Sequence, residues 1–211
     1  MKILLTQARL AYQQIRQTIL SGELKPGDIV NIDELCQRFG TGKTPTREAL
    51  VVLTHEQFLK PLPRVGYLIT KPSIRDVLEM FHVRGILEVE AIGLASELIT
   101  SDEIRELEIN IKEELKVSKR QIGYVINSEA IKLNQEFHMT IARASGNTIL
   151  ASLILQQLEM EERILALDPC LADPPQHENI LMALRKKDKA LCQEAMKNHL
   201  ENTRSRILTR Y

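Results

Sequence analysis

The chain has 211 residues, of which 44% are hydrophobic, and its 28 basic residues balance its 28 acidic residues. This length is typical of one large domain or two small ones, and the hydrophobic content is sufficient for a packed core. No run of about 18 to 20 apolar residues is present, so no membrane span is expected. The N-terminal segment MKILLTQARL lacks the features of a signal peptide, and the three cysteines are widely spaced. Together these features predict a cytoplasmic protein with reduced thiols.

The charges are distributed unevenly along the chain. Residues 1–70 contain nine Lys or Arg and six Asp or Glu, whereas the remaining residues contain 19 basic and 22 acidic groups. A cationic head on an anionic body is consistent with a polyanionic partner, but it does not decide the question.

Hydrophobic periodicity in the first part of the chain predicts three helices. The first covers residues 8–20, and the second is short, with Asn31 as its expected cap and Gly40 at its end. Thr44 is expected to cap the third helix, with Pro45 at the first helical position, where no N–H group is needed.

Two short apolar runs within residues 58–70 flank a Pro-Arg-Val-Gly turn and predict a β-hairpin. The order of helix, short helix, turn, helix and hairpin indicates a winged helix-turn-helix domain over residues 1–72. The sequence from 73 to 211 shows only helical patterns, so the fold class is mainly α, with an all-helical bundle as the second domain. The helices of this bundle are predicted at 74–99, 101–120, 125–144, 147–167, 175–186 and 188–209.

The stretch GTGKTPTREAL, residues 40–50, places cationic and hydroxyl side chains in the first turn of the third helix. In a helix-turn-helix protein this turn enters the major groove, and a helix N-terminus favours phosphate. The hairpin tip is positioned to contact the neighbouring backbone or minor groove. The alternative is an ordinary capped helix in solvent. The residues predicted to contact DNA are Lys43, Thr44, Thr46, Arg47, Arg64 and Gly66.

Three of the five histidines lie on predicted helices in the last 80 residues of the chain. Asn134 and His138 are four residues apart and therefore lie on one helix face, whereas His177 and His199 each share a face with apolar residues. Three imidazoles brought together inside a helical bundle would suit a transition metal. Spacing alone favours the alternative, which is three unrelated histidines, each hydrogen-bonded in or near the core.

The run AYQQIRQTILSGELKPGDIVNIDELCQRFGTGKTPTREALVVL resembles the DNA-binding domain of GntR-family bacterial transcription regulators. The resemblance covers the whole N-terminal domain. It implies a winged helix-turn-helix that binds duplex DNA, with the third helix as the recognition helix. The matching positions are Tyr12, Ile15, Arg16, Ile19, Gly22, Leu24, Pro26, Gly27, Thr44, Pro45, Arg47, Glu48, Ala49 and Leu50.

The segments NQEFHMTIARASGN, HENILMALRKKD and AMKNHL are similar to those of the FadR-like ligand-binding domain known as FCD. That resemblance implies a divalent metal, such as Zn, Ni or Mn, at the base of an effector cavity. The implied ligands are Asn134, His138, His177 and His199. The segment VRGILEVEA resembles a family helix whose arginine faces the cavity, so Arg84 becomes a candidate clamp for a carboxylate effector, with Arg163 as a second candidate. The alternatives are a salt-bridging Arg84 and a solvated Arg163.

These features predict a homodimeric regulator that binds a palindromic operator in duplex DNA. The resemblance implies a repressor, because repression is the usual activity in this family. A small organic acid is its expected effector. Two alternatives are a regulator that responds to the metal itself and a metal-dependent enzyme carrying a winged head. The enzyme is disfavoured because no glutamate is evidently placed as a general base beside the histidines: Glu136 and Glu178 are expected to point elsewhere.

Overall fold

The computed structural model describes residues 6–120, 128–167 and 174–209. The chain divides into two compact units, with the boundary between Pro72 and Ser73. The expected helix start at residue 125 and most of the expected loop at 168–175 lie outside the described residues. In the part of the chain that is described, no helix is both long and apolar enough to span a lipid bilayer.

The first unit contains three helices and a small sheet. Thr6 caps α1 by accepting from the N–H of Arg9, and Asn31 caps α2 by accepting from the N–H of Glu34 at 2.8 Å. Gly40 ends α2 in the left-handed conformation, with φ 64°, which glycine adopts without strain. The helices are α1 Gln7–Leu20, α2 Ile32–Phe39 and α3 Lys43–His55.

The start of α3 differs from the sequence-based prediction. Gly42, not Thr44, is the N-cap residue, and Pro45 is the third helical residue rather than the first. Proline is tolerated there because the N–H groups of the first turn have no intrahelical acceptor. Lys43 and Thr44 are therefore helical residues in the first turn.

The predicted hairpin is present, and a third strand joins it. Strand β3 lies between β2 and β1, and both pairs are antiparallel, with Leu59 opposite Ile69 and Ile29 opposite Leu68. The two-residue β1 was not predicted, because such a short strand leaves no alternation to detect. The strands are β1 Ile29–Val30, β2 Leu59–Leu62 and β3 Gly66–Ile69.

The second unit is an all-helical bundle, as predicted from the sequence. Helix α4 runs along the bundle and packs against α6, α7 and α9, while α5 packs against α6 and α8. The core side chains include Phe137, Ile92 and Ile180, all fully buried. The helices are α4 Ile74–Leu98, α5 Ser101–Arg120, α6 Ser128–Ala144, α7 Thr148–Leu167, α8 Pro174–Lys186 and α9 Lys189–Leu208.

A capping box starts α4. The Asp76 carboxylate accepts from the Ser73 N–H at 2.7 Å, and the Ser73 hydroxyl accepts from the Asp76 N–H. Burial raises the pKa of Asp76, but hydrogen bonds from Ser73 and the positive charge of Arg163 outweigh burial and lower it. The carboxylate is therefore ionised at neutral pH, as this cap requires.

Candidate DNA interface and metal centre

The first turn of α3 is exposed at three of the residues predicted to contact DNA, which are Lys43, Thr44 and Arg47. Gly42 brings no side chain that could cap the helix, so the N–H groups of the first turn are open to an anion. The Lys43 ammonium lies 2.7 Å from the carboxylate of Asp33, and both side chains are largely exposed. An exposed pair of this kind is weak and separates easily.

Thr46 does not belong to this exposed set, and its predicted phosphate contact is wrong. Its side chain is completely buried, and its hydroxyl lies 2.7 Å from that of Thr41. The same hydroxyl donates to the carbonyl of Gly42 and accepts from the Cys36 thiol. Thr46 therefore fixes the turn between α2 and α3, which sets how the recognition helix is presented.

At the tip of the hairpin, Arg64 is exposed and has a φ of 65°. Gly66 has a φ of 148°, and a Cβ atom there would collide with the carbonyl oxygen of Val30. Glycine at position 66 is thus explained by the close approach of β3 to β1. Close approach to DNA is not needed to explain it.

In the bundle, the histidines of α6, α8 and α9 converge. One nitrogen from each of His138, His177 and His199 lies within 4.8 Å of the other two, and each side chain is at most 3% exposed. The Nε2 atoms of His138 and His199 are 3.2 Å apart. Two nitrogens bound to one tetrahedral zinc at about 2.0–2.1 Å would be about 3.3 Å apart, so the spacing fits a shared metal ion.

Two glutamates orient the rings of this cluster. Glu88 on α4 lies 2.5 Å from Nδ1 of His138, and Glu114 on α5 lies 2.8 Å from Nδ1 of His177. A carboxylate at Nδ1 fixes the proton there and leaves the lone pair of Nε2 free for a metal ion. The Nε2 atom of His177 is buried and has no hydrogen-bond partner in the described part of the chain. The donor set therefore fits a metal.

The electrostatic environment favours neutral imidazoles. Burial lowers the pKa of His177, and it outweighs the opposing effect of Glu114. Burial also places the pKa of His199 well below its ordinary value, and the neighbouring imidazoles add to that effect. The His177 ring stacks on Phe137, with ring centroids 4.1 Å apart. Neutral, firmly packed imidazoles are the form that binds a metal ion.

Arg84 is buried beside the histidines, but most of its guanidinium is already engaged. Its Nε lies 2.5 Å from Glu88, and one terminal nitrogen lies 2.5 Å from Glu161. Burial lowers the pKa of Arg84, and the two carboxylates more than offset this and raise it. Neither Nη1 nor Nη2 makes a hydrogen bond in the described part of the chain, although Nη1 belongs to the ion pair with Glu161. A contact between these two nitrogens and a carboxylate effector therefore stays a prediction.

Asn134 and Arg163 are both buried. Asn134 lies one turn before His138 on α6, and its amide nitrogen donates to Glu161 at 3.1 Å. Arg163 is 4% exposed, so the expected solvated position is wrong, and its charge acts on Asp76 near the start of α4. A contact between Arg163 and an effector stays a prediction.

The comparisons with known proteins agree with this architecture. Residues 7–69 match the family model of "Bacterial regulatory proteins, gntR family", and residues 79–202 match the model of the FCD domain. The chain belongs to the GntR family of bacterial regulatory proteins, in the group that carries an FCD domain.

Named relatives of this GntR protein are transcriptional regulators. The "Uncharacterized HTH-type transcriptional regulator YdhC" of Bacillus subtilis is 32% identical over 68% of this chain, and the match spans 62% of that relative. The "Gluconate operon transcriptional repressor" of the same species is 24% identical over 96% of this chain and 85% of its own. The solved structure "E. coli McbR/YncC" shares the fold, with a TM-score of 0.80 over 99% of this chain and 100% of that one, at 22% identity. The family and these relatives are regulators rather than enzymes.

Three residues of the GntR protein's histidine cluster were missed by sequence reasoning: Glu88, Glu114 and Glu161. Glu88 carried a detectable signal, because it lies four residues after Arg84 on one helix and an acid and a base at that spacing are neighbours. Glu114 and Glu161 lie in charge-rich segments, IKEELK and EMEERI, that read equally well as solvated faces. Only the packing of the helices shows that these two glutamates are buried rather than solvated.

Proposed function

We propose that this protein regulates transcription by binding a palindromic operator as a homodimer, under the control of a small organic acid that binds at a divalent metal ion. The family establishes a transcriptional regulator, and the remaining statements are our inference. The observation that carries the proposal is the convergence of three buried imidazoles, two of them oriented by carboxylates, in the FCD domain.

The charge balance of the cluster supports a divalent cation. Glu88, Glu114 and Glu161 are buried around the histidines, and Arg84 supplies one compensating positive charge. Three buried carboxylates against one fully buried guanidinium leave an excess of negative charge in a region from which water is largely excluded, and the positive charge of Arg206 near His199 offsets it only in part. Uncompensated buried charge is costly, so a divalent ion would stabilise this arrangement. Asn134, His138, His177 and His199 would hold the ion, which would offer open coordination positions to a carboxylate oxygen.

A cavity next to the cluster could admit the effector. It lies between α8 and α9, has a volume of about 330 Å³, and reaches His199. Small-molecule sites usually have volumes of about 300–1,000 Å³. Lys186 would attract an acid, and side-chain amides would bind its hydroxyl or carbonyl groups. The polar residues lining the cavity are Gln176, Asn179, Lys186, Glu194, Asn198, His199 and Asn202.

A homodimer is supported by apolar residues left exposed on two neighbouring helices. Ile149 and Leu153 lie one turn apart on α7 and are 73% and 40% exposed, and Leu98 on α4 is 59% exposed. A Cβ at Gly146 would lie 3.4 Å from Leu98, which places Leu98 beside the start of α7. We propose a second copy of the chain as the partner of this surface, because a palindromic operator needs two recognition helices. Light scattering of Ile149→Glu should then show a smaller species than the unaltered protein.

The metal is tested by elemental analysis of the purified protein. The unaltered chain should contain stoichiometric divalent metal, and the double variant His177→Ala, His199→Ala should contain none. A metal content that survives both substitutions would rule out this ligand set. A thermal-shift screen of small carboxylic acids, with and without a chelator, then separates the possibilities: an acid should stabilise only the metal-loaded protein, whereas a metal sensor would respond to metal alone.

DNA binding is tested with Arg47→Ala. Fluorescence anisotropy on duplexes from the protein's own promoter region should show that this variant has lost binding at low ionic strength. Arg75→Ala is a matched control, because it removes an exposed arginine from the helical unit. Equal affinity in the two variants would contradict the placement of α3 in the major groove.

A further inference from the structure

We propose that Glu161 is a positioning residue that turns the carbonyl oxygen of Asn134 toward the histidine cluster and so makes the amide a metal ligand. The inference rests on the metal site proposed above. It concerns a contact between α6 and α7, the hydrogen bond of 3.1 Å from Asn134 Nδ2 to Glu161 Oε2. Both side chains are buried, at 7% and 2% exposure, so neither can exchange this partner for bulk water.

The chemistry of the two groups fixes the orientation of the amide. The carboxylate of Glu161 is paired with Arg84, and a carboxylate oxygen accepts hydrogen bonds rather than donating them. A side-chain amide has one donor end and one acceptor end. When the donor end of Asn134 faces Glu161, its oxygen must face away from Glu161, and a metal ion binds the oxygen but not the NH₂ group.

The position of Asn134 on α6 puts its side chain on the same helix face as a histidine of the cluster. Asn134 and His138 are four residues apart on α6 and share one face of the helix. His138 is held in the cluster by Glu88, which is itself paired with Arg84. Arg84 therefore holds two carboxylates: Glu88, which orients the imidazole of His138, and Glu161, which orients the amide of Asn134. Both proposed ligands of α6 thus depend on one buried guanidinium.

A different role for Glu161 would be simple neutralisation of Arg84, and substitution separates the two roles. In Glu161→Gln, the oxygen of the new amide would accept from Arg84 and its NH₂ group would face Asn134. Asn134 could then satisfy that donor only by reversing its own amide, which would turn its NH₂ group toward the cluster. The variant should therefore lose the Asn134 ligand while keeping a partner for Arg84.

The experiment measures Zn²⁺ affinity of the full chain by competition with a chromophoric chelator. Glu161→Gln should bind Zn²⁺ about 10–100-fold more weakly, the usual effect of losing a group that orients a ligand. Asn134→Ala should show a similar loss, and Glu161→Gln should cause no further loss in the Asn134→Ala background. Glu162→Gln, which removes a neighbouring charge on a partly exposed side chain, should bind as the unaltered protein does.

The double variant Asn134→Asp, Glu161→Gln exchanges the donor and the acceptor of this hydrogen bond and is the most specific test. It keeps the total charge, reverses the direction of the hydrogen bond and places a carboxylate on the metal side, so it should restore Zn²⁺ affinity. If Glu161→Gln does not fold by circular dichroism, Glu161→Asp replaces it, because it keeps the charge for Arg84 but withdraws the acceptor from Asn134.

The outcomes distinguish this inference from the function on which it rests. If the unaltered protein binds no Zn²⁺, or binds it without His177 and His199, the metal site itself is wrong. If the histidines are required but Glu161→Gln binds normally, or weakens binding equally in the Asn134→Ala background, Glu161 does not act through Asn134 and the inference is overturned.

Discussion

Replacing Arg84 by alanine should destabilise the helical unit strongly, and a matched pair on the same helix makes the effect measurable. Arg84 and Glu88 are four residues apart on α4, as are Arg75 and Glu79. The first pair is 1% and 3% exposed, whereas the second is 84% and 61% exposed. Spacing and residue types are the same, so burial is the main difference between the two pairs.

The magnitude follows from the partners that Arg84→Ala would leave behind. Glu88 and Glu161 would remain buried without their cation, and removing one member of a buried ion pair typically costs about 3–5 kcal/mol. That is a large part of the total stability of a domain, which is about 5–15 kcal/mol. Arg75→Ala should change stability very little, because water solvates the carboxylate that remains.

Urea unfolding of the metal-free protein, followed by circular dichroism, checks this prediction. With a slope of about 2 kcal/mol per molar urea, Arg84→Ala should lower the midpoint of the helical unit by about 1.5–2.5 M. A midpoint equal to that of Arg75→Ala would refute the reasoning. The result also bears on function. If Arg84→Ala is strongly destabilised, loss of its effector response could come from unfolding as well as from a lost contact with the ligand.

Three further outcomes are expected. Asp33→Asn should strengthen binding to duplex DNA modestly, because it removes an exposed carboxylate that competes with phosphate for Lys43. An affinity equal to that of the unaltered protein in an anisotropy titration would place Lys43 away from DNA. Asp76→Ala should lower stability by about 1 kcal/mol at pH 7 through loss of the α4 cap. The lowered pKa of Asp76 means that this contribution is present above its unfolded pKa of about 3.9 and disappears as the pH falls, so the two urea midpoints should converge in acid. Cys192 should resist alkylation at pH 8 while Cys36 reacts, since Cys192 is fully buried and burial raises its pKa to about 11. Mass spectrometry measures the labelling of each cysteine, and equal labelling of Cys36 and Cys192 would contradict this prediction.

Local signals in the sequence account for most of the fold. Asn31 and Gly40 bound α2 because a side-chain acceptor and a residue that tolerates positive φ act within a few residues of themselves. The helices of the bundle follow the apolar period of the chain to within a residue or two wherever both ends are described. The start of α3 was wrong by two residues, because Thr44 was taken as a cap while Gly42 holds that position without any side-chain bond.

The sequence by itself determined the two-part architecture and the exposed Lys43 and Arg47, and the family resemblance implied that the three histidines converge. These depend on interactions between residues close in the chain and on residues that match family motifs. Only the tertiary structure decided that Thr46 is buried and that the guanidinium of Arg84 is largely engaged by two carboxylates. The partner of Arg84 on α7, Glu161, is 77 residues away in the sequence. Pairing and burial across such distances depend on which helix faces meet, and no local pattern of residues specifies that.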